Sequence, residues 1–119
     1  MKVSIPVMEC TGMSAPVGQH FGRVPAFAVI DVESGEIEFI RNTSEHLGGI
    51  GLPPELLAKE GVNVVLCSAL GPKAVDLCAS LGMQVFVGAR GTVSESLEAW
   101  KQGALTRADR DNACAEHSH

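Results

Sequence analysis

The sequence is poor in the residues with which proteins bind nucleic acids. It contains no Tyr, its aromatic fraction is only 4%, and its 9 basic side chains are outnumbered by 14 acidic ones. The formal net charge at pH 7 is therefore −5. Nucleic-acid-binding surfaces combine basic charge with aromatic side chains that stack on bases, so this composition argues against a nucleic-acid partner.

Long apolar runs are also absent. No stretch approaches the roughly 20 apolar residues that a transmembrane helix requires. The N-terminal segment MKVSIPVMEC alternates like a β-strand and does not have the pattern of a signal peptide. We therefore expect a cytoplasmic protein with no membrane partner. The length of 119 residues is that of one domain with its own core.

The chain has no Cys-x-x-Cys pair. Its four cysteines are widely spaced, at positions 10, 67, 78 and 114. In a reducing compartment, thiols with this spacing are core residues or single metal ligands rather than disulfides. Cys67 ends a predicted strand and Cys78 lies on the apolar face of a predicted helix, so we expect both to be small core residues.

The motifs of several enzyme classes are missing. The sequence has no GxxxxGK[ST], GxGxxG or GxSxG pattern, which argues against nucleotide hydrolysis, dinucleotide binding and α/β-hydrolase chemistry. Asp31 is the only acid within the apolar run at residues 26–32, so the acidic pair of a two-metal nuclease is absent. No nucleophile–base pair is identifiable, and we expect no enzymatic activity.

The hydrophobic pattern predicts an α/β fold in the order β-β-β-α-β-α-β-α. Apolar or alternating runs predict five strands, at residues 2–7, 26–32, 37–41, 62–67 and 83–87. Proline and glycine punctuation and a Thr-x-x-Glu capping box predict three helices, at residues 53–59, 72–81 and 92–101. Right-handed crossovers then give a five-stranded mixed sheet with helices on its faces. Residues 1–105 would form this domain, and residues 106–119 a flexible polar tail.

One segment stands out within the long loop between the first two predicted strands. His20, Phe21, Gly22 and Arg23 place an imidazole, an aromatic ring and a guanidinium in four consecutive residues. Neutral histidine is the commonest metal ligand and arginine suits multi-oxygen or other charged groups. One histidine does not make a metal site, however, so spacing alone favours the simpler interpretation, a polar loop residue at His20, a core side chain at Phe21 and a turn at Gly22.

The topology adds further candidates, because ligands bind at the carboxyl ends of parallel strands. Segments at this predicted rim bring glycine amides together with six side chains: Cys10, His20, Arg23, His46, Cys67 and Arg90. Thiol and imidazole ligands beside anion-binding backbone are expected of a site for a sulfide-bridged metal cluster. The tail adds Cys114, His117 and His119, which form either a half-site for a soft metal or an ordinary polar terminus.

Several motifs together resemble a known family. They are IPV in the first strand, HFGR-x-P-x-F, AVIDVESGEIEFIRN, HxGGxG, GVNVVLCSALGPKA and GTVSESLEAW. The chain resembles the dinitrogenase iron–molybdenum cofactor biosynthesis family, which includes NifX, NafY and the C-terminal part of NifB. It also includes stand-alone members from archaea and anaerobes and the molybdenum–copper orange proteins. The resemblance covers residues 1–105.

The resemblance implies a ribonuclease H-like fold without nuclease activity and a cytoplasmic carrier or scaffold for a metal–sulfur cluster of the Fe–Mo–S, Mo–Cu–S or Fe–S type, or for its precursor. His20 is then the first candidate for a metal ligand, with Arg23, Asn42 and His46 as further cofactor-binding residues and Cys10 as an assisting ligand. The alternative is an interaction module that binds no metal and docks on a cluster-assembly enzyme or ATPase. Either protein would be a monomer or a homodimer, since the predicted strand at residues 37–41 is an exposed sheet edge.

Overall fold

The computed structural model describes residues 1–43 and 52–109. Its strands and helices alternate in the second half of the chain and follow a β-hairpin in the first. The strands are β1 (Lys2–Val7), β2 (Ala26–Asp31), β3 (Ile37–Arg41), β4 (Val64–Cys67), β5 (Gln84–Val87) and β6 (Thr106–Ala108). The helices are α1 (Pro53–Lys59), α2 (Pro72–Ser80) and α3 (Val93–Lys101), and a single 3₁₀ turn covers Gly12–Ser14. The predicted order is confirmed as far as α3.

The six strands form one mixed sheet in the order β3-β2-β1-β4-β5-β6. The inner strands β1, β4 and β5 are parallel, while β2, β3 and β6 pair antiparallel with their neighbours. The parallel strands therefore end at the same edge of the sheet, as the crossover rule predicted. We call this the carboxyl edge.

The prediction of five strands is wrong, because β6 adds a sixth beside β5. Its residues were expected to belong to the polar tail. Ala108 lies opposite Val85 and is buried, whereas Thr106 and Arg107 are exposed. A three-residue strand with one buried side chain is too short to produce a detectable alternation, so the hydrophobic pattern did not reveal it.

Helices cover both faces of the sheet. On one face, Leu57 of α1 and Val75 and Cys78 of α2 pack on side chains of the central strands such as Val65 and Val29. On the other face, a second apolar cluster joins Val3, Ile5 and Val7 of β1 to Val93 and Leu97 of α3. The two faces are called the α1/α2 face and the α3 face below.

The helices begin where the sequence predicts. Proline occupies the first turn of α1 and of α2, where a missing N–H costs no hydrogen bond. The capping box of α3 is confirmed: Glu95 N–H donates to Thr92 Oγ1 over 3.2 Å, and Thr92 N–H donates to the Glu95 carboxylate over 3.1 Å. Among the described residues, no helix has the length and apolar character needed to cross a membrane.

Candidate functional site

The His20–Arg23 segment forms a tight turn near the carboxyl edge of the sheet. The Arg23 N–H donates to the His20 carbonyl over 2.9 Å. Within the turn, the Phe21 ring points into the α1/α2 core, is only 6% exposed and lies 5.3 Å from the Phe27 ring. Burial of this ring fixes the turn, because replacing a buried Phe with Ala typically lowers the free energy of unfolding by about 3–5 kcal/mol. His20 and Arg23 are left exposed on either side of it.

Asn42, which follows β3, binds the backbone of the turn through its side chain. Its side chain is 4% exposed, and its amide donates to the Gly22 carbonyl over 3.2 Å and to the Val24 carbonyl over 2.8 Å. The Asn42 N–H in turn donates to the Pro25 carbonyl. Asn42 therefore positions the backbone of the turn, and it is absent from the residues that line the adjacent cleft.

Gly18 lies just before the turn, and its backbone packs closely against Val24, which follows the turn. A Cβ atom at this position would overlap Cγ1 of Val24 and approach the sulfur of Met8. The Gly18 N–H also donates to the Pro6 carbonyl over 2.9 Å. Only glycine allows the incoming backbone to pack directly on Val24 here, so the loop is compact on both sides of the turn.

A cleft of about 670 Å³ opens between this turn and the helices of the α1/α2 face. Its walls come from the turn, from the start of α1 and from the β4–α2 connection with the first turns of α2. The lining residues are Gln19, His20, Phe21, Gly22, Arg23, Leu52, Pro53, Pro54, Ala69, Leu70, Gly71, Lys73, Ala74 and Leu77. The structure thus places His20 and Arg23 on one side of the cleft and the start of α2 on another, and most of the other lining residues are apolar.

Lys73 is a site residue that the sequence analysis did not identify. It is exposed in the first turn of α2 and lines the cleft with His20 and Arg23. Its position after a parallel strand, in the segment Gly71-Pro72-Lys73, was the available indication, because helices that follow such strands begin at the ligand-binding edge.

The cleft has a positive electrostatic character. Arg23 and Lys73 contribute two cationic side chains, and no Asp or Glu occurs among its lining residues, all of which lie in the described part of the chain. Gly71 precedes α2 without a side-chain hydrogen-bonded cap, so the first amide groups of this nine-residue helix are not covered by one. An anion in the cleft would therefore be attracted both by the two cationic side chains and by the amide groups at the start of α2.

The other predicted rim residues lie elsewhere. Cys10 is exposed, but neither it nor Arg90 lines the cleft. Cys67 is fully buried, with its thiol 3.8 Å from the Phe86 carbonyl. Burial raises the pKa of Cys78 from 9.0 to about 12, so this thiol stays protonated at neutral pH. Cys67 and Cys78 are therefore core residues, as predicted.

The remaining candidates fall outside the described residues. These are His46 and the tail residues Cys114, His117 and His119. Within residues 1–43 and 52–109, no group of three or more His, Cys, Asp or Glu side chains is arranged to hold a metal ion. Among the described residues that line the cleft, His20 is the one whose side chain is a common metal ligand.

Within the described residues, these features define an α/β protein with a cationic cleft bordered by the exposed His20, and comparison with known proteins gives its family. The model of the family described as "Dinitrogenase iron-molybdenum cofactor" matches residues 1–103. The chain belongs to this family.

Relatives and solved structures agree with this membership. The chain is 30% identical over 112 residues to an uncharacterized protein of Methanocaldococcus jannaschii, covering 90% of this chain and 91% of the relative. The apo form of the orange protein from Desulfovibrio gigas superposes with a TM-score of 0.81 at 25% identity, over 90% of this chain and 92% of that one. An NMR structure of a proposed NifB protein from Thermotoga has a TM-score of 0.72 at 26% identity, over 89% and 91% of the two chains.

Proposed function

We propose that this protein is a non-catalytic carrier or scaffold for a metal–sulfur cluster or its precursor, and that the cleft beside His20 holds this cargo. The observation that carries the proposal is the placement of His20, Arg23 and Lys73 around one cleft without an acidic lining residue. Membership of the iron–molybdenum cofactor family supports the class of cargo. We expect a cluster of the Fe–Mo–S, Mo–Cu–S or Fe–S type.

The donor set of the cleft suits a preformed cluster better than a single metal ion. A structural metal ion such as Zn²⁺ takes four protein ligands, and a catalytic one takes three. A sulfide-bridged cluster brings most of its ligands with it, so one imidazole can complete the coordination of one metal. Its negative charge must then be offset by cations and backbone amides. The volume of about 670 Å³ is ample for a guest of small-molecule size.

Each cleft residue then has a separate task. His20 supplies the metal–nitrogen bond. Arg23 can offer several N–H groups in a planar array to neighbouring sulfides, whereas Lys73 acts as a mobile point charge. The apolar walls reduce the access of water to the sulfides, which slows their loss by hydrolysis.

Asn42 is assigned a positioning role in this proposal, because its described hydrogen bonds go to the turn that carries His20. His46, Cys114, His117 and His119 remain candidate ligands from the sequence. The ribonuclease H-like class, the cytoplasmic location and docking on an assembly enzyme or ATPase also remain predictions that the family resemblance implies.

The test is anaerobic purification from the native host, followed by elemental analysis and absorption spectroscopy. We expect molybdenum, iron or copper together with sulfide, and sulfide-to-metal charge-transfer bands. His20→Ala should lose most of the bound metal. Arg23→Gln combined with Lys73→Gln should reduce retention by about tenfold and make it insensitive to salt, because two charges no longer attract the cluster.

Gln19→Ala is the matched control, since Gln19 lines the same cleft, is also exposed and lies next to His20. It should retain the cargo at the level of the parent. Equal metal content in the parent and His20→Ala would reject the site. Metal-free parent protein that binds an assembly enzyme or ATPase equally well with and without His20→Ala would reject the carrier function and favour the interaction module.

A further inference from the structure

Much of the cleft surface is apolar and has no partner in a metal–sulfur cargo. Leu70, Ala74 and Leu77 line the cleft from the β4–α2 connection and α2, and residues 52–54 line it from the start of α1. We call this part of the lining the apolar wall. A cluster held by one imidazole and two cations makes no bond to these side chains. The apolar wall therefore suits a ligand that has a hydrocarbon part.

The cleft changes in polarity along α2. Lys73, Ala74 and Leu77 all line it, and their spacing of one and four residues places them on the same side of the helix. Lys73 is exposed in the first turn, whereas Leu77 is half-buried. Leu77 lies one turn further on, about 6 Å along the helix axis. A ligand that follows α2 would therefore contact a cation first and an apolar side chain next.

The charge of the cleft is opposite to that of the whole chain. The net charge is −5, yet the described lining residues include Arg23 and Lys73 and no Asp or Glu. The acids nearest in sequence are directed elsewhere. Asp76 of α2 does not line the cleft, and the Glu55 carboxylate of α1 accepts from the Leu52 N–H in a capping arrangement. The polar part of a complementary ligand is therefore anionic.

The size of the cleft favours a small molecule over a segment of another protein. Its volume of about 670 Å³ lies within the range of roughly 300–1,000 Å³ of small-molecule sites. Such sites are mainly apolar and have a few polar groups that orient the ligand, as this one does. A stable protein partner would need to cover about 800 Å² on each side, much more than one cleft of this kind offers.

We propose that the cleft also binds a small amphiphilic carboxylate, with its head at Arg23 and Lys73 and its hydrocarbon body on the apolar wall. The planar guanidinium of Arg23 can donate two parallel N–H bonds to the two carboxylate oxygens, and Lys73 adds a second positive charge. The hydrocarbon body leaves water when it contacts the wall. No metal takes part, so this binding does not require the carrier function proposed above. Competition between the carboxylate and a cluster for the two cations does rest on that function.

The experiment is an NMR titration of full-length, metal-free, ¹⁵N-labelled protein with butanoate, hexanoate and octanoate. We expect the affinity to rise by about fourfold for each added CH₂ group, because each one is removed from water at the apolar wall. The amide shifts should concentrate in α2 and in the His20–Arg23 turn. Octylamine has the same chain length and a cationic head, and it should bind at least about tenfold more weakly than octanoate.

Two pairs of variants separate the apolar wall from the cationic end. Leu77→Gln should weaken octanoate binding by about tenfold. Leu81→Gln is its matched control, since Leu81 lies one turn further along the chain, is 40% exposed and does not line the cleft. Lys73→Gln should weaken octanoate binding by about fivefold. Lys59→Gln is the control for it, since Lys59 lies in the last turn of α1, outside the cleft lining.

Several results would overturn the proposal: an affinity that does not change with chain length, equal binding of octanoate and octylamine, or parent-like octanoate binding in Leu77→Gln. The chain-length series uses the parent protein, so it does not depend on the folding of any variant. Metal content after anaerobic purification reports on the carrier function separately. Protein that retains metal and does not bind octanoate would reject only the carboxylate, whereas metal-free protein that binds octanoate would support the carboxylate without a carrier function.

Discussion

At the carboxyl edge, the helix start on the α3 face is capped and closed, whereas the start of α2 on the α1/α2 face is uncapped and borders an open cleft. On the α3 face, Thr92 and Glu95 cap the helix with their own side chains. The preceding loop also seals this end, since Val93 donates to the Ala15 carbonyl and Val17 donates to the Gly91 carbonyl. On the α1/α2 face, Gly71 leaves the start of α2 without a side-chain cap, and Lys73 and the His20 turn border an open cleft.

This difference shows that the position of a ligand site depends on more than the topology of the sheet. Both helices follow parallel strands and both begin at the carboxyl edge, so the fold alone makes them equivalent. At the start of α3, the Glu95 N–H donates to Thr92 Oγ1 and the Val93 N–H donates to the Ala15 carbonyl, so two of its first amide groups are satisfied within the protein. Of these two helices, α2 is therefore the one that starts without a side-chain cap and borders the cleft. The variants below test this contrast, in order of decreasing expected effect.

The largest effect is expected from removing the aromatic anchor of the open side. Phe21→Ala should lower the free energy of unfolding by about 3–5 kcal/mol, because it leaves a cavity beside Phe27. It should also reduce cargo retention, since His20 and Arg23 flank the missing ring. Urea denaturation and metal analysis measure the two effects. Phe86→Ala, which breaks the ring pair with Trp100 on the α3 face, should destabilise the fold and leave metal content per folded molecule unchanged.

A smaller loss is expected from the residue that supports the turn. Asn42→Ala leaves the Gly22 and Val24 carbonyls without their donor, which should cost about 1–3 kcal/mol. Cargo retention should fall as well, because the turn loses its fixed position. Asn63→Ala is the control, since Asn63 is exposed and its side chain accepts a hydrogen bond from the Lys2 N–H, far from the turn. Unchanged cargo retention in folded Asn42→Ala would mean that Asn42 does not position the site.

The cap of α3 should matter for stability and not for cargo. Thr92→Ala removes the acceptor for the Glu95 N–H and should destabilise the protein by about 1 kcal/mol. Metal content should stay at the level of the parent, because this helix start belongs to the sealed side. Thermal unfolding gives the first quantity and elemental analysis the second. A loss of cargo at full folding would contradict the contrast between the two helix starts.

The smallest expected effects are changes in stability on replacing two buried serines, one on β1 and one on α3, and these two changes should have opposite signs. The hydroxyl of Ser4 on β1 has no hydrogen-bond partner among the described residues. Ser4→Ala should therefore be neutral or stabilise the fold by up to about 1 kcal/mol. The hydroxyl of Ser96 on α3 donates to the Arg90 carbonyl over 3.0 Å, so Ser96→Ala should destabilise it by about 1 kcal/mol. Urea unfolding of both variants provides the comparison, and destabilisation in Ser4→Ala would indicate that its hydroxyl is satisfied after all.

Local patterns in the sequence were sufficient for most of the fold. The proline-led starts of α1 and α2, the capping box of α3 and the apolar strands depend on neighbouring residues, and each was predicted to within two residues. β6 was missed because its pairing with β5 is a long-range contact made by only three residues. A pattern of this length is not distinguishable from a polar tail.

The site was less accessible to prediction, because its members come from segments far apart in the chain. The placement of His20 and Arg23 at the carboxyl edge followed from topology, and Lys73 could have been found by the same rule. The separation of Cys10 from the cleft could not be predicted, because it depends on the hydrogen bonds that close the loop at residues 8–16. Nor does any local pattern reveal that Asn42 donates to residues about 20 positions earlier.

The short strand β6 has a consequence for how the domain is delimited. The family match ends at residue 103, yet Ala108 fills part of the core and β6 occupies the outer side of β5. A chain cut at residue 105 would expose the unpaired backbone groups of β5, a template on which other strands can add. The residues of β6, which lie beyond the family's boundary, thus pair with the outer side of β5, and expression vectors for this domain should extend to at least Asp109.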